Sequence, residues 1–315
     1  MIKKISRLTK KLYYLIRNLF SKKFKYDFSK VKNLKKSNFY PINGEFIYNY
    51  NLNPETTIVI NHFISFKTLK KTIKNLTKVN NNFEIIIIND SGINSDIIFK
   101  KLNSPNHKIV STYNLGESAG YMTGQLLSKS TKYIVFTQDD DLAPSDIKWY
   151  IDAKKYFLKY PELAMIGLNG GGLINFKKNQ YYDFSRNRIN DKNFYFCSWL
   201  KTGPLIINKS RLQEIGGWKM FSKIGESDHF ADIDLSLRFC MSGYSIGLLL
   251  NNNALKWERR FSRDDGFDKQ DLIMHKNRNI RWKLNKKLFD QKYQRYFKKI
   301  DNKVINLNKK ISIKI

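Results

Sequence analysis

The chain has 315 residues and a formal charge of +30, with 57 Lys/Arg against 27 Asp/Glu, 42% hydrophobic and 14% aromatic residues. That apolar content excludes a disordered chain, and the length allows one large domain or two small ones with a sizeable core. Only Cys197 and Cys240 occur, each in an apolar stretch, which argues against a disulfide framework and leaves no zinc-ligand spacing.

The first element is a basic extension over residues 1–50. Residues 1–36 hold thirteen Lys/Arg against the single acid Asp27. In "ISRLTKKLYYLIRNLFSKKF", Ile5, Leu8, Leu12, Leu15, Ile16 and Leu19 recur at helical spacing among the cations. No run approaches the roughly 20 apolar residues that span a bilayer, and a signal peptide's apolar region and cleavage site are lacking. A basic amphipathic helix on an anionic membrane and a docked helix with a solvated lysine face are both compatible with this pattern. Basic-aromatic segments also grip phosphates, but no recognised nucleic-acid module is present and no nucleic acid is expected as a partner.

Residues 51–275 alternate strand and helix. "TTIVINHF" (56–63) predicts a strand and "FKTLKKTIKNLTKV" (66–79) an amphipathic helix. "FEIIIIND" (83–90) is a continuous apolar strand, buried on both faces. "KIVSTY" (108–113) predicts a third strand, 117–129 a helix, and "KYIVFTQ" (132–138) a fourth strand. Pro144 then leads into a helix over "SDIKWYIDAKKYFLKY". "ELAMIGLNGGG" predicts a strand running into a mobile glycine connector. "ESDHFADIDLSLRFCMSGYSIGLLL" predicts an acid-rich loop, a helix stopped at Gly243, and a further strand.

Such alternation implies an α/β, mostly parallel sheet flanked by helices, whose ligands collect at the carboxyl ends of the strands. His62, Asp90, Asn114 and Asp139, Asp140 and Asp141 all fall at such ends. Three adjacent acids are unfavourable unless water, donors or a cation neutralises them, and hard cations such as Mg²⁺ and Mn²⁺ take oxygen ligands. Extended alternation puts Asp139 and Asp141 on one side as a metal pair, with Asp140 opposite. A solvated turn or a helix cap is the plainer reading of the same acids.

Several segments, in order, resemble the GT-A glycosyltransferases of family 2, which are inverting and nucleotide-sugar dependent. "IIIINDSG" looks like the second strand with its nucleoside-contacting aspartate, here Asp90. "NLGESAG" looks like the N-x-G segment, with Asn114 and Gly116. "TQDDDLAP" matches the D-x-D, "EIGGWKMF" the G-G-F/W segment, and "KNRNIRW" a basic segment after the last core strand. "ADIDLSLRFCMSGY" resembles E-D-x-D-L-x-x-R-x-x-x-x-G-Y, which makes Asp232 the expected catalytic base and Asp234 a helix cap or acceptor contact. Ala231 replaces the usual glutamate, and Glu258 of "ALKWERR" stands where the family often has a metal-binding histidine, so Glu258 is the candidate third metal ligand. Three acids with a D-x-D near a tryptophan also resemble bacterial galactofuranosyltransferases.

The resemblance implies transfer of a sugar from a nucleotide-diphosphate donor, a UDP-sugar by family frequency, to a hydroxyl of a glycan or lipid-linked acceptor in bacterial surface polysaccharide synthesis. His62, Asp90, Asn114, Gly116, Asp139 and Asp140 are expected at the donor, Asp139, Asp141 and Glu258 at Mn²⁺ or Mg²⁺, and Trp199, Trp218, His229 and Asp234 at the acceptor. Residues 51–145 would form the nucleotide half and 146–275 the acceptor half. Residues 276–315, with fourteen Lys/Arg against Asp290 and Asp301, form a basic helical extension. The two extensions suit a cytoplasmic enzyme at the inner face of the plasma membrane. A non-catalytic polyanion- or nucleic-acid-binding scaffold on the same fold is the alternative.

Overall fold

The computed structural model describes residues 54–63, 65–79, 82–90, 98, 102, 107–111, 116–176, 180–186, 192–220, 230–259 and 271–313. The amino-terminal extension therefore lies outside the described residues. In chain order the elements are β1 (Thr56–His62), α1 (Phe66–Val79), β2 (Phe83–Asn89), β3 (His107–Ser111), α2 (Glu117–Leu127), β4 (Tyr133–Gln138), β5 (Asp141–Leu142) and α3 (Lys148–Lys159). There follow β6 (Leu163–Gly167), β7 (Gly171–Phe176), β8 (Gln180–Asp183), β9 (Phe194–Cys197), β10 (Trp199–Leu200), β11 (Leu205–Asn208) and α4 (Lys209–Glu214). The chain continues as α5 (Ala231–Met241), β12 (Ser245–Leu249), β13 (Glu258–Arg259) and α6 (Asp271–Lys310).

Eight strands form one sheet in the order β3-β2-β1-β4-β11-β6-β12-β9. Every residue of β1 and β2 is buried, the apolar centres Ile58–Ile60 and Ile85–Ile88 on both faces of the sheet and the polar ends through hydrogen bonds. Leu69, Ile73 and Leu76 of α1 sit at four- and three-residue spacing and bury against this layer, each stabilising the fold by about 1.5–3 kcal/mol. The expected parallel order holds from β3 to β4 and again between β6 and β12. β11 and β9 run antiparallel to their neighbours. Parallel neighbours need a long crossover, usually a helix, and none of the described residues between β6 and β11 is helical, so strands returning from that stretch enter the other way.

The glycine-rich stretch after β6 is a correction. Gly171 and Gly172 open β7, which pairs with β8 and β10 in a separate three-stranded sheet. A Cβ on Gly172 would lie 1.6 Å from the Tyr182 carbonyl oxygen, so the glycine is needed for close strand approach and not for mobility.

The carboxy-terminal basic segment, α6, is built into the core. Phe289, Tyr293, Phe297, Ile300 and Val304 are buried along one face. β9 is the edge of the large sheet, and the Asn308 side chain closes that edge. Its Oδ1 accepts the Phe196 N–H at 2.9 Å, and its Nδ2 donates to the Phe196 carbonyl at 2.8 Å. Cys197 and Cys240 are free and buried, as their apolar settings predict. Among the described residues no helix is long and apolar enough to cross a membrane.

Candidate active site

Strand register determines what meets at the rim. Asn61 lies opposite Ile88 and Gln138, and His62 opposite Asn89, so β1, β2 and β4 end flush. Backbone bonds stitch the ends together: Asp90 N–H donates to His62 O at 2.8 Å and Asp139 N–H to Asn61 O at 3.0 Å. Gly116, with φ 97°, begins α2 in a conformation that favours glycine, and its N–H donates to Asp90 Oδ2 at 3.0 Å. The buried Asp90 thus fastens the start of α2 to the end of β2. Asn114 and His229 lie outside the described residues.

The three aspartates do not share an extended strand. β4 stops at Gln138, Asp139 and Asp140 form a turn, and β5 starts at Asp141, so alternation does not govern where their side chains go. Asp139 is buried and turns back toward the end of β1. Its Oδ2 accepts from His62 Nδ1 at 2.8 Å, Phe63 N–H at 2.9 Å and Ser65 N–H at 2.7 Å. Burial alone would raise this carboxyl, but the bonds from His62 and the two amides hold it below the usual carboxylate range. His62 is wholly buried and serves as the partner of Asp139. Asp139 is thereby directed to His62 and the end of β1, and the turn rather than strand alternation sets its direction relative to Asp141.

Asp141 is held differently. Its Oδ2 accepts from the Thr137 hydroxyl at 3.0 Å and the Gln138 N–H at 3.1 Å. Its carbonyl accepts from Thr72 of α1 at 2.9 Å, and Thr72 Oγ1 accepts the Ala143 N–H at 3.1 Å, so α1 clamps β5. β13 pairs with β5, and Trp257 packs edge-on against Trp149 at 5.1 Å just before it. Glu258 is exposed and lies opposite Leu142, while Arg259 lies opposite Asp141. By strand alternation Arg259, and not Glu258, shares the Asp141 face of this ribbon.

The remaining acids form a cluster. Asp232 opens α5, and its Oδ2 accepts the Thr202 N–H at 3.0 Å while Oδ1 accepts the Ile233 N–H at 2.9 Å. Burial raises the Asp232 carboxyl, and these amide bonds offset part of the rise. Burial, reinforced by the negative charges of Asp232 and Asp140, pushes the Glu117 carboxyl up to about 7. Burial together with the charges of Glu117, Asp141 and Asp140 pushes the Tyr121 phenol well above its usual range. Hydrogen bonding from Tyr121 and Gln138 offsets part of the rise at Glu117. Asp232 and Asp140 thus both act on Glu117, and Asp141 on the adjoining Tyr121. Glu117 is the residue that sequence reasoning passed over, because an acid in the first turn of a helix is ordinary dipole compensation.

Three expected acceptor contacts are structural. Asp234 is buried; it accepts from Arg238 Nε at 2.8 Å, Lys292 Nζ at 2.8 Å and the Tyr293 hydroxyl, tying α5 to α6. Trp218 is buried between Tyr121 and Phe136, with ring centroids 4.8 and 5.1 Å away. Trp199 donates its indole N–H to the Leu173 carbonyl at 3.2 Å inside the core.

No group of three His, Cys, Asp or Glu able to hold a metal ion exists among the described residues. An oxygen-only donor set of carboxylates suits a hard cation shared with a diphosphate, which needs only one or two protein carboxylates.

Residues 57–203 match the family model "Glycosyl transferase family 2". No curated protein matches the chain. Among solved structures, the mannosyltransferase PcManGT of Pyrobaculum calidifontis, in complex with GDP-Man and Mn²⁺, is 11% identical with a TM-score of 0.46, covering 80% of this chain and 67% of its own. S. aureus TarS 1–349 is 12% identical with a TM-score of 0.46, covering 68% of this chain and 62% of its own. GalNAc-T7 with UDP, GalNAc and Mn²⁺ is 14% identical with a TM-score of 0.49, covering 64% of this chain and 43% of its own.

Proposed function

We propose that this chain, whose residues 57–203 match the family 2 glycosyltransferase model and whose sheet is mostly parallel, transfers a sugar with inversion from a nucleotide-diphosphate donor to an acceptor hydroxyl. A glycan or lipid-linked molecule supplies that hydroxyl. The observation that carries the reading is the flush rim of β1, β2 and β4, where Asp90 follows β2 and Asp139, Asp140 and Asp141 follow β4, with Asp232 held by the Thr202 and Ile233 amides.

Asp232 is the base. Two backbone amides orient its carboxylate, and partial burial raises its proton affinity toward what a hydroxyl proton requires. Asp90, by holding Gly116, fixes the start of α2 beside the end of β2, where the nucleoside sits. Asp139 acts indirectly, holding the turn after β1 in place through Phe63 and Ser65. Asp140 and Asp141 are the carboxylates that would share a Mg²⁺ or Mn²⁺ ion with the donor diphosphate. When bound, such an ion offsets the charge that develops on the departing nucleoside diphosphate.

Calorimetric titration with UDP, GDP and dTDP, with and without Mn²⁺, tests this. One nucleotide is expected to bind in a metal-dependent way, with binding lost in Asp141→Asn. Asp232→Asn is expected to keep that binding and to lose at least about a hundredfold in turnover. Absence of nucleotide binding under every metal condition overturns the proposal.

A further inference from the structure

The described part of α6 from residue 282 onward carries ten Lys/Arg and only two acids, Asp290 and Asp301. Both acids are engaged on the inner side of the helix. Asp290 pairs with Lys286, and buried Asp301 accepts the Ile174 N–H at 3.1 Å. At 100° per residue, the face opposite the buried stripe carries Leu284, Lys287, Leu288, Arg295, Lys298 and Lys299. All six are exposed, and Leu284 and Leu288 are 58% and 54% accessible, although the same helix buries Phe289 completely. The two leucines lie one turn apart on the same cationic face, so they present a joined apolar patch among the lysines.

We infer that this outward face of α6 is a docking surface for an anionic lipid bilayer, with Leu284 and Leu288 entering the interface and Lys287, Arg295, Lys298 and Lys299 meeting the headgroups. Aliphatic side chains flanked by cations, with no acid on the face, match the two components of interfacial binding: apolar burial and attraction to anionic lipid. Nucleic acid would use the same cations but gains little from exposed leucines, since its bases stack on aromatic rings. The helix lies along the membrane plane and does not cross it. None of the residues of the candidate active site takes part, so the surface stands or falls separately from the proposed chemistry.

The test uses the full chain and sedimentation with vesicles of phosphatidylcholine alone or containing 30% phosphatidylglycerol (about one lipid in three, enough for a strongly negative surface). Wild type is expected to bind the anionic vesicles, with affinity falling as salt rises. Leu284→Ser/Leu288→Ser and Lys298→Glu/Lys299→Glu are each expected to weaken that binding by roughly tenfold or more. A Leu288→Cys variant labelled with an environment-sensitive dye is expected to report transfer from water to an apolar medium on anionic vesicles only. Binding retained in full by both variants assigns the contact to another part of the chain and overturns the proposal, as does a dye that stays in water. Loss of poly(U) RNA binding in the lysine variant with vesicle binding unchanged also overturns it, in favour of nucleic acid.

Discussion

Glu117 illustrates how one side chain can combine poor stability with chemical use. Burial pushes its carboxyl up to about 7 in the folded chain from the ordinary 4.5, so folding takes up a proton between these pH values. Stability must then fall as pH rises across that window, by up to about 3 kcal/mol. Glu117→Gln is expected to flatten this dependence and to raise the melting temperature at pH 8 relative to wild type. Thermal melts at pH 4.5 and pH 8 check it, and equal slopes for both proteins would refute the assignment. The acids of "QDDD" show the same dependence on surroundings. Asp139 is held ionised by His62 and two amides, whereas Asp140 adds to the charge that keeps Glu117 protonated. Adjacent residues of one type thus acquire opposite tasks from what each one touches.

At the scale of elements, two contacts hold the halves of the site in place. Asp234 lies below the usual carboxylate range. Burial would raise it, but bonds from Lys292, Tyr293 and Arg238 prevail. Its contribution is present above the ordinary carboxylate pKa and is lost as pH falls through the depressed folded value. Asp234→Asn leaves Arg238 and Lys292 without their anion and is expected to cost about 3 kcal/mol at pH 7. The difference from wild type should shrink on acidification, as denaturant titrations at pH 7 and pH 3 would show. The β7–β8 pairing makes a sharper case. Gly172→Ala forces a methyl group into the Tyr182 carbonyl and is expected to destabilise by about 3 kcal/mol, whereas alanine at Gly243, where nothing lies within 4 Å, meets only the backbone penalty of its positive φ. Parallel chemical denaturation of the two variants separates steric clash from backbone strain.

For the whole molecule, α6 is the element whose reading changed most. Five large apolar residues, Phe289, Tyr293, Phe297, Ile300 and Val304, are buried on it. At about 1.5–3 kcal/mol each, they rival the net stability of an entire domain. A chain ending at residue 270 is therefore expected to expose core surface, bind a hydrophobic dye and melt without cooperativity. A cooperative transition in that fragment would show that the core closes without the helix.

The sequence by itself determined the main strands and helices of residues 56–167 apart from the short β5, since α1 spans the residues its periodicity marks and the apolar centres of β1 and β2 are buried. Local periodicity reports which faces are buried, and the order of those elements dictates the parallel half of the sheet. Tertiary structure alone decided the rest. Whether Asp139 points to a ligand or to His62, whether Trp218 stacks on a sugar or on Tyr121, and whether a lysine-rich helix is a tail or a wall of the core depend on partners distant in sequence. Period and composition describe a residue's own element, whereas these outcomes belong to the contacts between elements.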